Sequence, residues 1–143
     1  MIDVKFKKLT PDATIPLQAH KGDAGMDLTS TETLTIAPLE RALVKTGLSV
    51  EIPYGYEGQV RPRSGLAIKN GITVLNSPGT VDAGYRGEIG VILINLGNAP
   101  FTIEKGMRIA QFVIAQVAEV NVQEAQTLTQ SERGEGGFGS TGK

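Results

Sequence analysis

The sequence contains no cysteine, no tryptophan and one histidine among its 143 residues. The absence of cysteine excludes disulfide bridges, thiolate metal sites and thiol nucleophiles, and it fits a reducing compartment. No stretch approaches the roughly 18 consecutive apolar residues that a membrane-spanning helix requires. These absences predict a soluble, intracellular protein of the cytoplasm with no membrane partner.

An excess of positive charge is also missing. The 14 Lys and Arg are balanced by 15 Asp and Glu, which gives a net charge of −1. Nucleic-acid polymers and anionic membranes are bound through basic surfaces. We therefore expect no nucleic-acid partner, and any phosphate site must be local.

Aromatic residues are few, whereas turn-forming residues are abundant: 4 Phe stand against 18 Gly and 7 Pro. This composition is typical of short strands joined by tight turns. Alternating apolar and polar residues predict strands at 2–7, 34–36 and 48–52. Residues 89–94 are apolar on both faces except at Gly90, which indicates a central strand. The expected fold class is all-β.

Two further segments have assignable structure. Residues 108–122 are dense enough in apolar residues for a helix, yet most of these are β-branched, which favours a strand. Residues 64–70 form the one expected short helix, with Ser64 as its cap and Asn70-Gly71 as its end.

The last part of the sequence loses this periodicity. Six of the eleven residues in 133–143 are Gly or Ser, which predicts a flexible segment. We therefore divide the chain into a β-domain at 1–122 and a C-terminal arm at 123–143.

Two glycine-containing basic segments are candidates for binding phosphate. Residues 61–65 place two guanidinium groups beside a hydroxyl and a helix N-terminus, which favours an anion, although a solvent-facing turn is the alternative. Residues 137–143 match the spacing of a P-loop, but no Ser or Thr follows Lys143, so a Walker A site is excluded. The arm could still wrap a phosphate chain, and a disordered tail is the alternative.

A third segment, 75–87, is rich in turn residues and lies between two apolar strands, which predicts a hairpin. Asp82 lies in it among small or apolar neighbours. A carboxylate so placed can orient and deprotonate a water molecule. For an isolated Asp, a purely structural role in a turn is the alternative.

Five segments, taken in order, resemble the five motifs of the homotrimeric dUTPase family. They are residues 23–28, 61–67, 75–88, 106–113 and 133–141. Each motif alone is weak evidence, but all five occur in the family's order without insertions and extend over nearly the whole chain. The resemblance implies a distorted jelly-roll β-fold, a homotrimer, and active sites that are each assembled from three subunits, with the arm crossing to a neighbour.

The resemblance also implies an activity, the Mg²⁺-dependent hydrolysis of dUTP to dUMP and pyrophosphate. Asp82 would be the catalytic base that orients water for attack on the α-phosphorus. The reaction would supply dUMP for dTMP synthesis and keep uracil out of DNA. Mg²⁺ would be held mainly by the substrate phosphates and water, with Asp27 assisting through a water molecule.

Substrate-binding residues follow from the same resemblance. Asn76 and backbone groups around Thr80 and Val81 would recognise uracil, and Tyr85 would pack against deoxyribose and exclude a 2′-hydroxyl. Phe138, beside Gly139, would cap the uracil ring. The phosphate chain would be held by residues of three motifs: Arg63, Ser64, Gly65, Gln111, Arg133, Ser140 and Thr141.

Two other functions are alternatives. A dCTP deaminase-like enzyme has a related fold, but it would need a catalytic Glu in the third motif, where Glu88 instead follows the dUTPase pattern. A non-catalytic, nucleotide-binding regulatory trimer would be expected to lack a motif, whereas all five are present.

Overall fold

The computed structural model describes residues 1–142, so the last residue of the predicted arm, Lys143, lies outside the described residues. Within them, eleven strands and one seven-residue helix form the regular structure, which confirms the all-β class with a short helix. The elements are β1 (Lys5–Lys8), β2 (Gly25–Thr29), β3 (Leu34–Ile36), β4 (Arg41–Lys45), β5 (Leu48–Glu51), β6 (Tyr56–Arg61), α1 (Ser64–Asn70), β7 (Ile72–Val74), β8 (Gly79–Val81), β9 (Gly90–Asn95), β10 (Phe101–Ile103) and β11 (Arg108–Gln116).

The strands pair into small antiparallel sheets. The largest has the order β2-β11-β6-β8, and a three-stranded sheet has the order β4-β9-β7. Two further pairs are β1-β5 and β10-β3. Every pairing joins strands that are not consecutive in the chain, as in the distorted jelly roll that the sequence predicts.

The hydrophobic core lies between the sheets. The prediction of a central strand is confirmed, because β9 is the middle strand of its sheet and buries Val91, Leu93 and Asn95 on one face. Phe112 of β11 is fully buried, and its ring lies against Gly58 of β6. A Cβ atom at Gly58 would overlap that ring, so the close approach requires glycine.

The other face of the three-stranded sheet carries an apolar patch that is uncovered in the single chain. Leu43 of β4 lies opposite Ile92 of β9, and the Leu43 residue is 63% exposed. Leu75, just after β7, donates its backbone N–H to the Ile92 carbonyl and is 47% exposed. The sheet therefore presents aliphatic side chains to the outside.

The first strand begins later than predicted, at Lys5, and pairs with β5. Lys5 and Glu51 are direct cross-strand neighbours and form an ion pair of 2.7 Å. The hydrogen bond between them, with the Coulomb attraction, lowers the pKa of the Glu51 carboxyl and raises the pKa of the Lys5 ammonium. Both groups are exposed, so the pair contributes little to stability.

Two predicted boundaries are wrong. The helix cap is Arg63 rather than Ser64, because Ser64 already has helical geometry, and no side chain caps the helix. The last strand ends at Gln116 rather than near residue 122, since Gln116 pairs with Tyr56, the first residue of β6, and no partner strand continues beyond it.

The segment predicted as a hairpin has a more complex course. Its flanking strands β7 and β9 pair antiparallel, as a hairpin requires, with Val74 opposite Leu93. The connection between them, however, crosses to the larger sheet and adds β8 there, beside β6. The connection therefore presents residues 80–85 at the edge of a different sheet.

The arm forms no strand in residues 123–142, and its described hydrogen bonds are local. Apolar side chains before and within it are exposed, among them Val120, Val122 and Leu128. No helix in residues 1–142 has the length and apolar character needed to cross a membrane.

Candidate active site

Residues of the first, second and fourth motifs meet in the largest sheet. Gln111 of β11 lies opposite Asp27 of β2 on one side and opposite Arg61 of β6 on the other. The Gln111 Nε2 donates a hydrogen bond of 2.9 Å to the Pro62 carbonyl. This bond fixes the turn that leads from β6 into α1 and places Arg63, Ser64 and Gly65 beside Asp27.

A shallow depression of about 220 Å³ results, lined by Asp27, Arg63, Ser64, Gly65 and Gln111. All five are predicted site residues, so the structure brings this part of the predicted site together. Its lining offers a guanidinium, a hydroxyl, an amide and the first backbone N–H groups of α1, which have no partner within the helix. These groups can bind an anionic oxygen chain.

The Asp27 carboxylate contacts two arginines. Its Oδ1 lies 3.0 Å from Arg63 Nε, and its Oδ2 lies 3.3 Å from Arg108 Nη1. Arg63 Nη1 also donates a 3.3 Å hydrogen bond to the Arg108 carbonyl. Arg108 is not among the site residues predicted from the sequence, although its position three residues before Gln111 in the fourth motif was a usable signal.

Residues of the third motif form a separate group at the end of β8. Thr80, Val81, Asp82 and Tyr85 line a second depression of about 160 Å³. The Asn76 amide lies close to Gly79, at the start of the same strand. The third motif is therefore also brought together, and the Asp82 side chain is exposed.

Local hydrogen bonds set the shape of this group. The Tyr85 N–H donates to the Asp82 carbonyl at 3.0 Å, which closes a turn. The Tyr85 hydroxyl donates to the Glu88 carbonyl at 2.9 Å, while the Glu88 carboxylate accepts from the Gly47 N–H at 2.8 Å. Glu88 therefore joins the loop to the body, and the half-exposed Tyr85 ring is held over Gly87.

The two groups are far apart within one chain. Val81 of β8 lies opposite Gly58 of β6, so the next residue, Asp82, is level with Glu57 of β6. Asp27 of β2 is level with Arg61 of β6, because both lie opposite Gln111 of β11. Three strand spacings and four residues along the strands separate Asp82 from Asp27, a distance of about 20 Å. Within one chain, Asp82 and Arg63 therefore line two separate depressions.

The predicted arm residues lie with neither group. Phe138 is fully exposed, and the Arg133 Nε donates to the Gly136 carbonyl within the arm itself. Ser140 donates its backbone N–H to the Gly137 carbonyl, again within the arm. One chain thus carries three groups of predicted site residues in three places.

The side chains of residues 1–142 provide no cluster of three or more His, Asp or Glu that could hold a metal ion by themselves. Asp27 is the one carboxylate of the first depression. A carboxylate has about four lone-pair positions, so positions remain beside its two ion pairs to accept hydrogen bonds from metal-bound water. The residues fit an ion held mostly by substrate and water.

Comparison with known proteins identifies the family. The sequence profile of the dUTPase family matches residues 11–142. The deoxyuridine 5′-triphosphate nucleotidohydrolase of Clostridium tetani is 60% identical over 140 residues, which cover 98% of this chain and 97% of the relative. The enzyme of the same name from Clostridioides difficile is 56% identical and is covered to 99%, as is this chain.

Solved structures agree with the sequence comparison. A mutant dUTPase of Staphylococcus bacteriophage 80alpha with dUpNHpp superposes with a TM-score of 0.91, at 32% identity and full coverage of both chains. A mutant dUTPase of phage phi11 of S. aureus, whose structure describes the coordination of a structural Mg(II) ion, gives a TM-score of 0.81 at 27% identity, over 90% of this chain and all of the phage chain. With both the sequence and the fold matched over nearly their full length, this chain belongs to the dUTPase family.

Proposed function

We propose that this dUTPase hydrolyses dUTP to dUMP and pyrophosphate, with Mg²⁺, in sites that three copies of the chain assemble. The observation that carries the proposal is the separation of the predicted site residues into three clusters. The first contains the residues that would bind phosphate, the second contains those that would bind uracil together with Asp82, and the third is the arm. The residues of each of the first two clusters lie together, yet these two clusters lie about 20 Å apart. Neighbouring subunits would bring them together.

Relatives and structural neighbours support the substrate. The Clostridium tetani and Clostridioides difficile proteins are named for hydrolysis of deoxyuridine 5′-triphosphate. The 80alpha phage dUTPase, with the same fold, was solved with dUpNHpp, an analogue of dUTP. These observations make dUTP the substrate to test first.

The phosphate chain binds in the first depression. Arg63, Ser64, Gly65 and Gln111 present cationic and neutral donors on one side, which suits the oxygens of the α- and β-phosphates. Mg²⁺ neutralises part of the charge of the triphosphate when bound, and Asp27 would hold it through water. A metal bound chiefly by substrate needs no larger carboxylate cluster.

Asp82 of a neighbouring subunit supplies the base. Its carboxylate takes a proton from a water molecule while the water oxygen attacks the α-phosphorus. The bond from that phosphorus to the oxygen bridging to the β-phosphorus breaks, and pyrophosphate leaves in line with the attack. The phosphate groups themselves need positioning and charge neutralisation rather than covalent catalysis.

Uracil recognition belongs to the same third-motif loop. The Asn76 amide and backbone groups of Thr80 and Val81 would pair with the donors and acceptors of a uracil edge. Cytosine reverses the polarity at one ring position and would leave buried polar groups unpaired, which strongly disfavours its binding. The Tyr85 ring, held by its hydroxyl, would occupy the space that a 2′-hydroxyl needs.

The third group closes the site. The arm of a third subunit would place Phe138 on the uracil ring, with Gly139 beside it, and Arg133, Ser140 and Thr141 on the γ-phosphate. Residues 133–141, nine in number, extend up to about 30 Å when stretched, which is long enough to cover a nucleotide. Closure would exclude water from the reacting phosphorus.

The uncovered sheet face supports a trimer. Leu43, Leu75 and Ile92 form a contiguous aliphatic surface, with the first two half or more exposed. Contiguous exposed apolar surfaces mark interaction sites. A symmetric contact over this face would bury it in all three copies.

Neither alternative function is favoured by an observation. The curated relatives are dUTP nucleotidohydrolases. Glu88 lines the depression that contains Asp82, but its carboxylate accepts a hydrogen bond from the Gly47 backbone N–H, which ties it to the body of the protein. A purely regulatory trimer has no distinguishing feature in residues 1–142.

The test is a product assay with the purified chain, Mg²⁺ and dUTP. We expect stoichiometric dUMP and pyrophosphate, and far slower turnover of UTP, dCTP and dTTP. Pyrophosphate release no faster than in a reaction without the protein would refute hydrolysis. Ammonia release from dCTP would instead identify a deaminase. Removing Mg²⁺ with a chelator should abolish turnover of dUTP.

A further inference from the structure

We propose that Arg108 is a phosphate-binding residue of this site, more available to substrate than Arg63, and that Asp27 holds both arginines in place. The inference rests on the proposed function and adds a residue to it. It follows from the register of β11, from the ion pairs of Asp27 and from the exposure of the two guanidinium groups.

A register shift turns Arg108 toward the site. In a regular strand, residues three apart point to opposite faces, so Arg108 and Gln111 would be separated. The pairing of β11 with β2 shifts by one residue between Arg108 and Ala110, where Arg108 is opposite Thr29 and Ala110 opposite Leu28. The extra residue places Arg108 on the face of Gln111 and Asp27, as bulges beside active sites commonly do.

The two arginines differ in how much of the guanidinium is already engaged. Arg63 uses Nε on the Asp27 carboxylate and Nη1 on the Arg108 carbonyl, and its side chain is 27% exposed. Arg108 uses Nη1 on Asp27, and its side chain is 62% exposed. Because a guanidinium has five N–H donors, Arg108 keeps more of them for a ligand.

The charges of the group match a polyanion. Asp27 contributes one negative charge and the two arginines contribute two positive charges, so the cluster is cationic beside Ser64 and Gly65. A carboxylate between two guanidinium groups also offsets their mutual repulsion before substrate binds. The arrangement therefore holds two cations at one edge of a phosphate-binding depression.

The experiment compares Arg108→Gln and Arg108→Lys with wild type, using Lys105→Gln as the control. Lys105 is an exposed cation in the connection between β10 and β11, three residues before Arg108. It forms a surface ion pair with Asp12 and does not line the depression. The measurements are KM and kcat for dUTP and the inhibition constants of inorganic pyrophosphate and of deoxyuridine, which lacks phosphate.

We expect Arg108→Gln to raise KM for dUTP and the inhibition constant of pyrophosphate by about tenfold or more, the effect of losing a charge-assisted hydrogen bond. The constant for deoxyuridine should stay within about twofold, since no phosphate is involved. Arg108→Lys should recover part of the loss because it keeps the charge but not the fork of donors. Lys105→Gln should match wild type throughout.

Unchanged pyrophosphate inhibition in Arg108→Gln would overturn the proposal. An equal rise in the deoxyuridine constant would also overturn it, because it would show a general structural role. If the wild-type protein fails to hydrolyse dUTP, the proposed function fails separately, and calorimetric titration of the same variants with pyrophosphate still decides the role of Arg108.

Discussion

Asp27 and Asp82 have different surroundings, and the proposed function gives the two carboxylates different tasks. Among the ion pairs of residues 1–142, Asp27 takes part in two and Asp82 in none. Both oxygens of the Asp27 carboxylate are engaged by guanidinium groups. Asp82 is exposed beside Tyr85 at a loop, where a water molecule can approach it. Residue-scale geometry thus favours Asp82 as the base.

Asp82→Asn should lower kcat by about 10² to 10⁴-fold, since the amide keeps the shape but cannot accept the proton. KM for dUTP and the molecular mass in light scattering should be nearly unchanged. Asp3→Asn, another exposed carboxylate, is the control and should behave like wild type. A kcat for Asp82→Asn close to that of wild type would contradict the assignment.

At the scale of elements, the pairing of β6 with β11 positions the residues that are proposed to bind phosphate. Gly58 allows the Phe112 ring to lie directly on β6, and the same two strands carry Arg61 and Gln111 in register. A change in this packing therefore affects both stability and the site. The arm, by contrast, makes local contacts in the single chain.

Gly58→Ala should destabilise the protein by about 1 to 3 kcal/mol, because its methyl group would overlap the buried Phe112 ring and force strands apart. Urea unfolding at matched protein concentration measures the change. Gly84→Ala is the control, since a Cβ there meets no atom within 4 Å. Equal midpoints for the two variants would show that the core accommodates the methyl group.

Removing residues 133–143 should leave the thermal unfolding temperature nearly unchanged, because the arm forms no element of the core. The kcat/KM for dUTP should fall by about 10²-fold or more through loss of several charge-assisted hydrogen bonds to substrate. A chain ending at Thr141 keeps all proposed contacts and is the control. Wild-type kinetics in the shorter chain would show that the arm has no part in the reaction.

At the scale of the whole molecule, the distance between the two groups is the reason for proposing a shared site. A phosphorus atom and its attacking water must approach to about 3 Å, whereas the Asp82 and Asp27 positions of one chain are about 20 Å apart. In the proposed trimer, symmetric contact between identical chains would solve this, since each copy would give its loop to one neighbour and receive another's loop in return.

Mixed trimers test the shared site directly. Asp82→Asn and Arg63→Gln are each expected to be poorly active, but unfolding and refolding them together in equal amounts should restore activity at about one quarter of the sites, by random assortment of three copies. Initial rates of dUTP hydrolysis measure the recovery. Mixtures of Asp82→Asn with Asn76→Ala, both defective in the same loop, should show no recovery. Absence of recovery in the first mixture would place the site within one chain.

The sequence alone determined the family and several features of the fold: the strand content, the helix at 64–70 and the central position of β9. Local propensity, period-2 alternation and five ordered motifs carry that information, because each depends on neighbouring residues or on residue identity. The end of β11 at Gln116 and the cap at Arg63 were not predictable in this way. The first depends on where the partner strand begins, and the second on how the chain enters the helix.

Only the tertiary structure decided which site residues meet. Strand order places Asp27, Arg63 and Gln111 together, the shift at Arg108 adds a second arginine to them, and the crossing of residues 75–89 carries Asp82 to the far edge of the same sheet. Such distances depend on pairing between strands remote in sequence, which no local pattern specifies. The sequence therefore determined the chemistry of the groups, and the fold decided that they lie apart within one chain.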